Sequence, residues 1–422
     1  MSSAWQITRL RFLLDAPLTY GATESGIEFD AELPRYIRIT DIRADGSLEP
    51  ENAVSLPYDV ARPYLLRDRD VLLARSGATV GKAFLYRANG GGEACFAGYL
   101  IRARCEQRRI LPEYLSYFLQ SADYWDFINQ SALQATIQNV SAEIYKEVPV
   151  THPSVERQAV VVAFLDEQTG RIDRLIEMRR QQMYLLKRQR AAVVQQAVTR
   201  GLNPNALMKD SRLPWLGEIP THWEVKRNKV IFREIDRRSV DGSEELLTVS
   251  HLTGVTPRAQ KEEVNMFLAV SNEGYKCVEI GDLAINTMWA WMGALGISKF
   301  SGIVSPSYNV YRFRTTALSD YYDLLFRSPN FIKEIIRHST GVWESRLRLY
   351  PQAFFDIRSP VPPLEEQREI VRFVEKATGR TEGVLNSINR QITLLAEYRA
   401  ALIHECVTGQ RRIGEEVIPE VL

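Results

Sequence analysis

PSVERQAVVVAFLDEQTGRIDRLIEMRRQQMYLLKRQRAAVVQQAVTRG, residues 153–201, and PPLEEQREIVRFVEKATGRTEGVLNSINRQITLLAEYRAALIHECVTGQ, residues 362–410, are two copies of one segment. They align without a gap at a constant offset of 209 residues. Identical pairs include Pro153/Pro362, Glu156/Glu365, Gln158/Gln367, Phe164/Phe373, Thr169/Thr378, Gly170/Gly379 and Arg171/Arg380. Leu185/Leu394, Leu186/Leu395, Arg190/Arg399, Ala191/Ala400, Val198/Val407 and Thr199/Thr408 continue the series. About one position in three matches, which chance does not produce over a stretch this long. Two copies at this period exclude a solenoid, whose repeats run roughly 20–50 residues.

Each copy reads as one long helix. In the second, Leu385, Ile388, Ile392, Leu395, Arg399, Leu402 and Cys406 fall at alternating steps of three and four. Ile176, Arg179, Met183, Leu186, Arg190, Val193 and Ala197 hold the same phase in the first. This is a heptad seam interrupted by arginine at equivalent places. Prolines at 153 and at 360, 362 and 363 suit a first helical turn. Gly201 followed by Pro204 is a stop signal, and Gly170 and Gly379 are candidate kinks. A continuous helix of about 46 residues spans roughly 70 Å and needs a partner for its seam. The expectation is an antiparallel intramolecular coiled coil with pseudo-two-fold symmetry that holds two modules some 50–70 Å apart. The alternative is that each helix packs on its own module. Internal two-fold symmetry suits a pseudo-symmetric partner, and duplex DNA is the first candidate.

The length of 422 residues allows two to four domains with ample core. No apolar run approaches the ~18 residues of a membrane span, and the N-terminus lacks the apolar core of a signal peptide. Cys95, Cys105, Cys277 and Cys406 are scattered, which fits reduced thiols in the cytoplasm. A net charge of +1 does not argue for nucleic acid. The basic excess is local: Arg171, Arg174, Arg179, Arg180, Lys187, Arg188 and Arg190 on the first helix, and Lys226, Arg227, Lys229, Arg233, Arg237 and Arg238 further on. Such runs form either solvated helix faces or phosphate contacts, and composition leaves both open.

The stretches between the helices have α+β texture. Strand-like runs lie at 36–39, 71–74, 100–103, 246–250, 283–286 and 309–313, with helical patterns at 111–130 and 318–338. The two modules echo each other weakly. Trp5 and Arg9 correspond to Trp223 and Arg227, Asp70-Val71-Leu72 to Asp282-Leu283-Ala284, and Gly98-Tyr99-Leu100 to Ser307-Tyr308-Asn309. Similar scaffolds with different loops are expected of two readers with different targets.

At this point the chain resembles, over essentially its whole length, the specificity subunit of a Type I restriction–modification enzyme. The duplicated P-x-x-E-x-Q signature, Pro153-Ser-Val-Glu156-Arg-Gln158 and Pro362-Pro-Leu-Glu365-Glu-Gln367, carries the resemblance most specifically. Residues 286–298, 36–42 and 76–82 are similar to stretches of the family's recognition domains. The resemblance implies a first target-recognition domain at 1–150, a central helical spacer at 151–203, a second recognition domain at 212–358, a C-terminal spacer at 359–410 and a tail at 411–422. It implies that each domain reads one half of a split sequence in double-stranded DNA, while two modification (methyltransferase) subunits dock on the helices and restriction subunits join them. In the family this subunit is not catalytic and binds no cofactor; S-adenosylmethionine belongs to the partner methyltransferase. The tail after Gln410 has no counterpart in the first copy.

No motif contradicts this reading. The run 76–83 lacks the glycine spacing and the hydroxyl residue of a phosphate loop. His152, His222, His251, His338 and His404 have no metal-ligand spacing. Base and phosphate contacts call for polar or guanidinium side chains on loops. In the first module these are Thr23, Ser25, Arg35, Arg38, Arg75, Ser76, Thr79, Lys82, Gln134, Thr136, Gln138 and Asn139. In the second they are Ser250, His251, Thr253, Arg258, Met288, Trp289, Trp291, Ser305, Ser307, Tyr308, Arg346 and Arg348, with Glu344 beside them. Trp289 and Trp291 can equally be packing residues, and Arg75 can pair with Asp70. Gln158, Arg171, Gln367 and Arg380 are the candidates for partner docking. The rival readings are a coiled-coil adaptor without DNA specificity and a single-chain methyltransferase or nuclease.

Overall fold

The computed structural model describes residues 5–43, 47–88, 92–133, 139–260, 271–341 and 347–413. The chain forms two compact units, Met1–Arg180 with Asn389–Leu422, and Gln181–Ile388. The first long helix runs over Val155–Arg200 and the second over Leu364–Val407. Both pass unbroken through the glycines at 170 and 379. Each gives way to a glycine in the left-handed region, Gly201 at φ 72° and Gly409 at φ 78°. A tryptophan closes over each end: a Cβ on Gly201 would lie 3.3 Å from Trp223, and one on Gly409 would lie 2.6 Å from the indole nitrogen of Trp5.

In the first unit the opening half of the first helix runs antiparallel to the closing half of the second. Asp173 accepts from Arg399 at 3.0 Å, and Phe164 meets Arg411 at 5.9 Å. In the second unit Arg190 donates to Glu382 at 2.6 Å. These are one contact made twice, because Arg190/Arg399 and Asp173/Glu382 are both repeat pairs. The seam arginines therefore have a partner each on the opposite helix. Exposed pairs of this kind contribute under about 1 kcal/mol, so they fix register more than stability. The two packing alternatives turn out to hold together. Val161, Leu165, Ile172 and Ile176 share one core with Leu402, Ile403, Cys406 and Val407 and with the first module. Ala197, Val198, Ile370, Val371 and Val374 do the same in the second unit.

Each module is α+β around a four-stranded antiparallel sheet. In the first the order is Thr19–Tyr20, Leu100–Ala103, Val71–Ala74, Ala83–Leu85; in the second it is Phe232–Ile235, Tyr308–Phe313, Leu283–Asn286, Leu295–Ile297. The first module adds a sheet of Ile27–Glu28, Val54–Ser55, Arg35–Ile37 and Ala94–Phe96. The expected helical stretches each divide in two, at the buried residues Ser121 and Ser328.

The duplication reaches into the modules. Gln6–Arg9 pairs with Pro149–His152 just as Glu224–Arg227 pairs with Arg358–Val361, in the same register. The Asp70 carboxylate receives both arms of Arg104, and Asp282 receives both arms of Arg312. The sheet registers also correct one sequence correspondence. Ala74 lies opposite Leu100, and Asn286 opposite Tyr308, so Leu100 answers to Tyr308 and Tyr99 to Ser307. The sequence echo was one residue out of step, and in a strand that slip exchanges the two faces.

Two further twin contacts hang each module on the helices. Gln158 accepts from the Leu111 amide at 2.8 Å and donates to the carbonyls of Arg109 and Pro153. Gln367 accepts from the Leu318 amide at 2.9 Å and donates to the Pro362 carbonyl. The Tyr114 hydroxyl donates to the Val407 carbonyl, and that of Tyr321 to the Val198 carbonyl, at 2.8 and 2.9 Å. Each module thus grips the start of one helix and the end of the other. Replacing Gln158 or Gln367 by leucine strands an amide and at least one carbonyl. Each substitution is expected to cost about 2 kcal/mol or more, read as a lower thermal midpoint of the full chain; an unchanged midpoint would refute the clamp.

Candidate nucleic-acid interface

In both modules a buried strand runs from an arginine-clamped aspartate into an exposed loop. After Val71–Ala74 the loop closes by Ala74 N–H donating to the Lys82 carbonyl at 2.9 Å. After Leu283–Asn286 the Asn286 N–H donates to the Ala294 carbonyl at 3.0 Å. Gly81 and Gly293 hold the matching turn at φ 86° and 90°. A Cβ at those places would press on Trp125 at 2.8 Å and on Ile332 at 3.2 Å. The chain re-enters beside the loop in the same way, with Val140 N–H on the Arg75 carbonyl and Leu349 N–H on that of Thr287, at 2.8 and 3.1 Å. A third segment flanks it: Arg75 N–H donates to the Tyr99 carbonyl, and the Thr287 hydroxyl to the Ser307 carbonyl.

This framework gathers sequence candidates that are far apart in the chain. In the first module Arg75 stacks over Tyr20 at 4.7 Å and turns its Nε to Asn139 at 3.4 Å. Ser76 pairs with Asn139 along the backbone. Thr79 is half-buried and Lys82 exposed in the same loop. Thr23 and Ser25 are exposed on a loop whose carbonyls at Ala22 and Glu24 accept the buried Tyr36 hydroxyl. Burial pushes the Tyr36 pKa up to about 12, which keeps it a proton donor. Gln134, Thr136 and Gln138 lie outside the described residues.

In the second module Met288 and Trp289 are exposed, and Trp291 is half-buried with its indole N–H on the Met288 carbonyl at 3.0 Å. The hydroxyls of Ser305 and Ser307 lie 2.9 Å apart. Arg258 lies close enough to Tyr308 for its charge to oppose the upward push that burial gives the phenol pKa. His251, Thr253 and Arg348 are exposed, and Arg348 exchanges both backbone hydrogen bonds with Thr340. Arg346, like Glu344, lies outside the described residues.

Several assignments change. Arg38 is committed to Asp41 through two hydrogen bonds and to the Asn52 carbonyl, so it braces its own loop. Arg35 is half-buried, donates to the Glu49 carbonyl, and its Nε is buried without a partner among the described residues. Asp70 is occupied by Arg104 and does not hold Arg75. Tyr308 and Ser250 are buried; the first accepts from Asn286 and the second from the Leu252 amide. Gln158 and Gln367 are buried in the clamps and present nothing to a partner. Arg171, paired with Glu167, and Arg380 are exposed.

Exposed residues that the sequence reading passed over are Tyr99, Tyr350 and Leu252 at the rims of these loops. Tyr99 was within reach, because the strand echo contains it, but one residue out of register it is matched to the buried Tyr308 instead of Ser307. Among the described residues no three histidine, cysteine or acidic side chains gather as for a metal ion. No helix among them is long and apolar enough to cross a membrane. All four cysteines are free and buried, and burial pushes the thiols of Cys95 and Cys105 up to about 12.

No protein-family model matches the chain. The Type I restriction enzyme StySPI specificity subunit of Salmonella potsdam is 24% identical over 386 residues, 89% of this chain and 81% of that one. The putative type I restriction enzyme MjaX specificity subunit of Methanocaldococcus jannaschii is 24% identical over 328 residues, 74% of this chain and 72% of that one. The MjaVIII specificity subunit of the same organism is 22% identical over 167 residues, so the match spans only 36% of its length. In structure, a chain solved in work on complex assembly and conformational transition of the type I R-M system has a TM-score of 0.66, covering 96% of this chain and 98% of that one at 16% identity. With curated relatives of that kind along as much as 89% of its length, and that fold along 96% of it, the chain is similar throughout to the specificity subunits of Type I restriction–modification enzymes.

Proposed function

We propose that the chain reads a bipartite DNA sequence, one half through each module, and directs adenine methylation and restriction carried out by partner subunits. The recognition domains are 1–150 and 212–358, and the spacers 151–203 and 359–410. The observation that carries the reading is the loop framework built twice, with equal length and closure but different side chains. Segments 250–258, 287–293, 305–308 and 347–350 contain no aspartate or glutamate, and neither does 75–82. These segments, rich in hydroxyl, guanidinium and amide groups and free of carboxylates, suit a phosphate-lined partner. Glu24 beside Thr23 and Ser25, and Glu344 near Arg346, are acidic exceptions among the candidate loops. This chain supplies binding and register; S-adenosylmethionine and the reacting groups reside on its partners, in the cytoplasm.

Affinity for target duplex is expected to fall steeply as salt rises. Replacing Arg75 by alanine should lower the slope of log affinity against log salt by about one. Arg38→Ala should instead lower the thermal midpoint and leave that slope alone. A slope near zero in the unmodified chain would favour the adaptor reading.

Partner docking is best supported on the exposed apolar residues that the duplication repeats. Leu175/Val384 and Leu185/Leu394 are equivalent pairs, each between 42% and 61% exposed. Apolar side chains left in water at matching places on both helices mark equivalent docking faces, so two modification subunits per chain are expected, with restriction subunits joining that core. Leu185→Glu combined with Leu394→Glu should abolish co-purification of the methyltransferase without changing the thermal midpoint of the free chain. Undiminished assembly would remove these faces from consideration.

A further inference from the structure

The loop after the buried strand is built alike in the two modules and carries opposite chemistry. Residues 76–79 read Ser-Gly-Ala-Thr, and the equivalent 288–291 read Met-Trp-Ala-Trp. The equivalence follows from the matching closures at Ala74/Lys82 and Asn286/Ala294 and from the twin glycines Gly81 and Gly293. Trp289 thus stands where the first module has Gly77.

Trp289 is 51% exposed, with Met288 at 37% and Met292 at 39% beside it. The backbone beneath is held by several hydrogen bonds. Trp289 N–H donates to the Asn286 carbonyl at 3.0 Å, while its own carbonyl accepts from Met292 and Ala294 at 3.0 and 3.1 Å. Ala290 is fully buried, and the Trp291 indole is anchored on the Met288 carbonyl. The indole of Trp289 is therefore held out in water by a rigid loop. A large exposed apolar group presented this way marks a contact surface. Its surroundings say what kind. His251, Arg258, Arg348, Ser305 and Ser307 lie in the flanking segments 250–258, 305–308 and 347–350, which contain no aspartate or glutamate. A partner with anionic edges and flat apolar faces fits, and stacked nucleobases have both.

We infer that Trp289, flanked by Met288, is an apolar wedge that the second module sets against the base stack of its half-site, opening one base step. The inference rests on the modules being DNA readers, and assigns them different means. The first module, with Gly77 in that place and Arg75 stacked nearby, works by polar contact. The second favours a step that unstacks cheaply, such as a pyrimidine–purine step.

The test uses the full chain assembled with its methyltransferase subunits. The probe is a duplex carrying the motif found by mapping methylated adenines in the source genome. 2-Aminopurine replaces each purine in turn across both halves. The expected result is a fluorescence rise on binding at one step in one half only. Trp289→Ala should abolish that rise and weaken binding about tenfold; Trp289→Phe should retain it, and Arg75→Ala should weaken binding with the rise intact. An unchanged thermal midpoint for Trp289→Ala, a surface replacement, separates lost stacking from lost folding. Salt-sensitive binding with no rise at any position, or a rise that survives Trp289→Ala, overturns the wedge alone. Failure of the unmodified complex to bind the duplex overturns the DNA reading and the wedge with it.

Discussion

A helix of 46 residues with a single apolar seam cannot stand alone in water, and this chain meets that constraint by duplicating the helix. An isolated helix of such length gains little from backbone propensity; most of its stability has to come from burying one face. Here the face is buried twice over, against the antiparallel copy and against a module at each end. The paired contacts Arg190–Glu382 and Arg399–Asp173 show that a single register satisfies both halves. Polar residues in the seam are tolerable because their partners come from the same repeat position on the other helix.

The same economy governs how the modules are attached. A buried glutamine amide can satisfy a donor and an acceptor at once, and Gln158 and Gln367 do so where each helix begins. The tyrosines Tyr114 and Tyr321 cap carbonyls where the helices end. Helix ends leave unsatisfied carbonyls in any case, so a module that supplies a hydroxyl there is held by groups the helix needs paired. That accounts for the glutamines standing out in the duplicated motif while being unavailable to partners. Repetition in sequence marked them, and repetition could not distinguish a docking residue from a clamp.

The two long helices were legible because they rest on periodicity, which sequence displays directly. The strands at 71–74, 100–103 and 283–286 were found within a residue or so for the same reason. What stayed hidden depends on partners distant in the chain. Asp41 stands three residues from Arg38 and could have been weighed, but nothing in local composition says that the Asn52 carbonyl will complete its occupation, or that Asp70 will go to Arg104 and leave Arg75 for Tyr20. The misplaced echo at Tyr99 and Tyr308 has a different cause. Identity of residue type suggested one alignment, and the hydrogen-bond register of the sheet imposed its neighbour.

The division between framework and loop explains how one fold can carry two chemically unlike loops. The aspartates that root each strand are buried and held by half-buried arginines, and leaving such a carboxylate unpaired is costly. The glycines at 81 and 293 are held both by positive φ and by the side chains packed over them. Between these fixed points the exposed positions contact little of the module. Substitutions there usually move stability by under about 0.5 kcal/mol. Ser-Gly-Ala-Thr and Met-Trp-Ala-Trp can therefore occupy the same skeleton, and the energetic consequence of exchanging them is felt by whatever the loop touches.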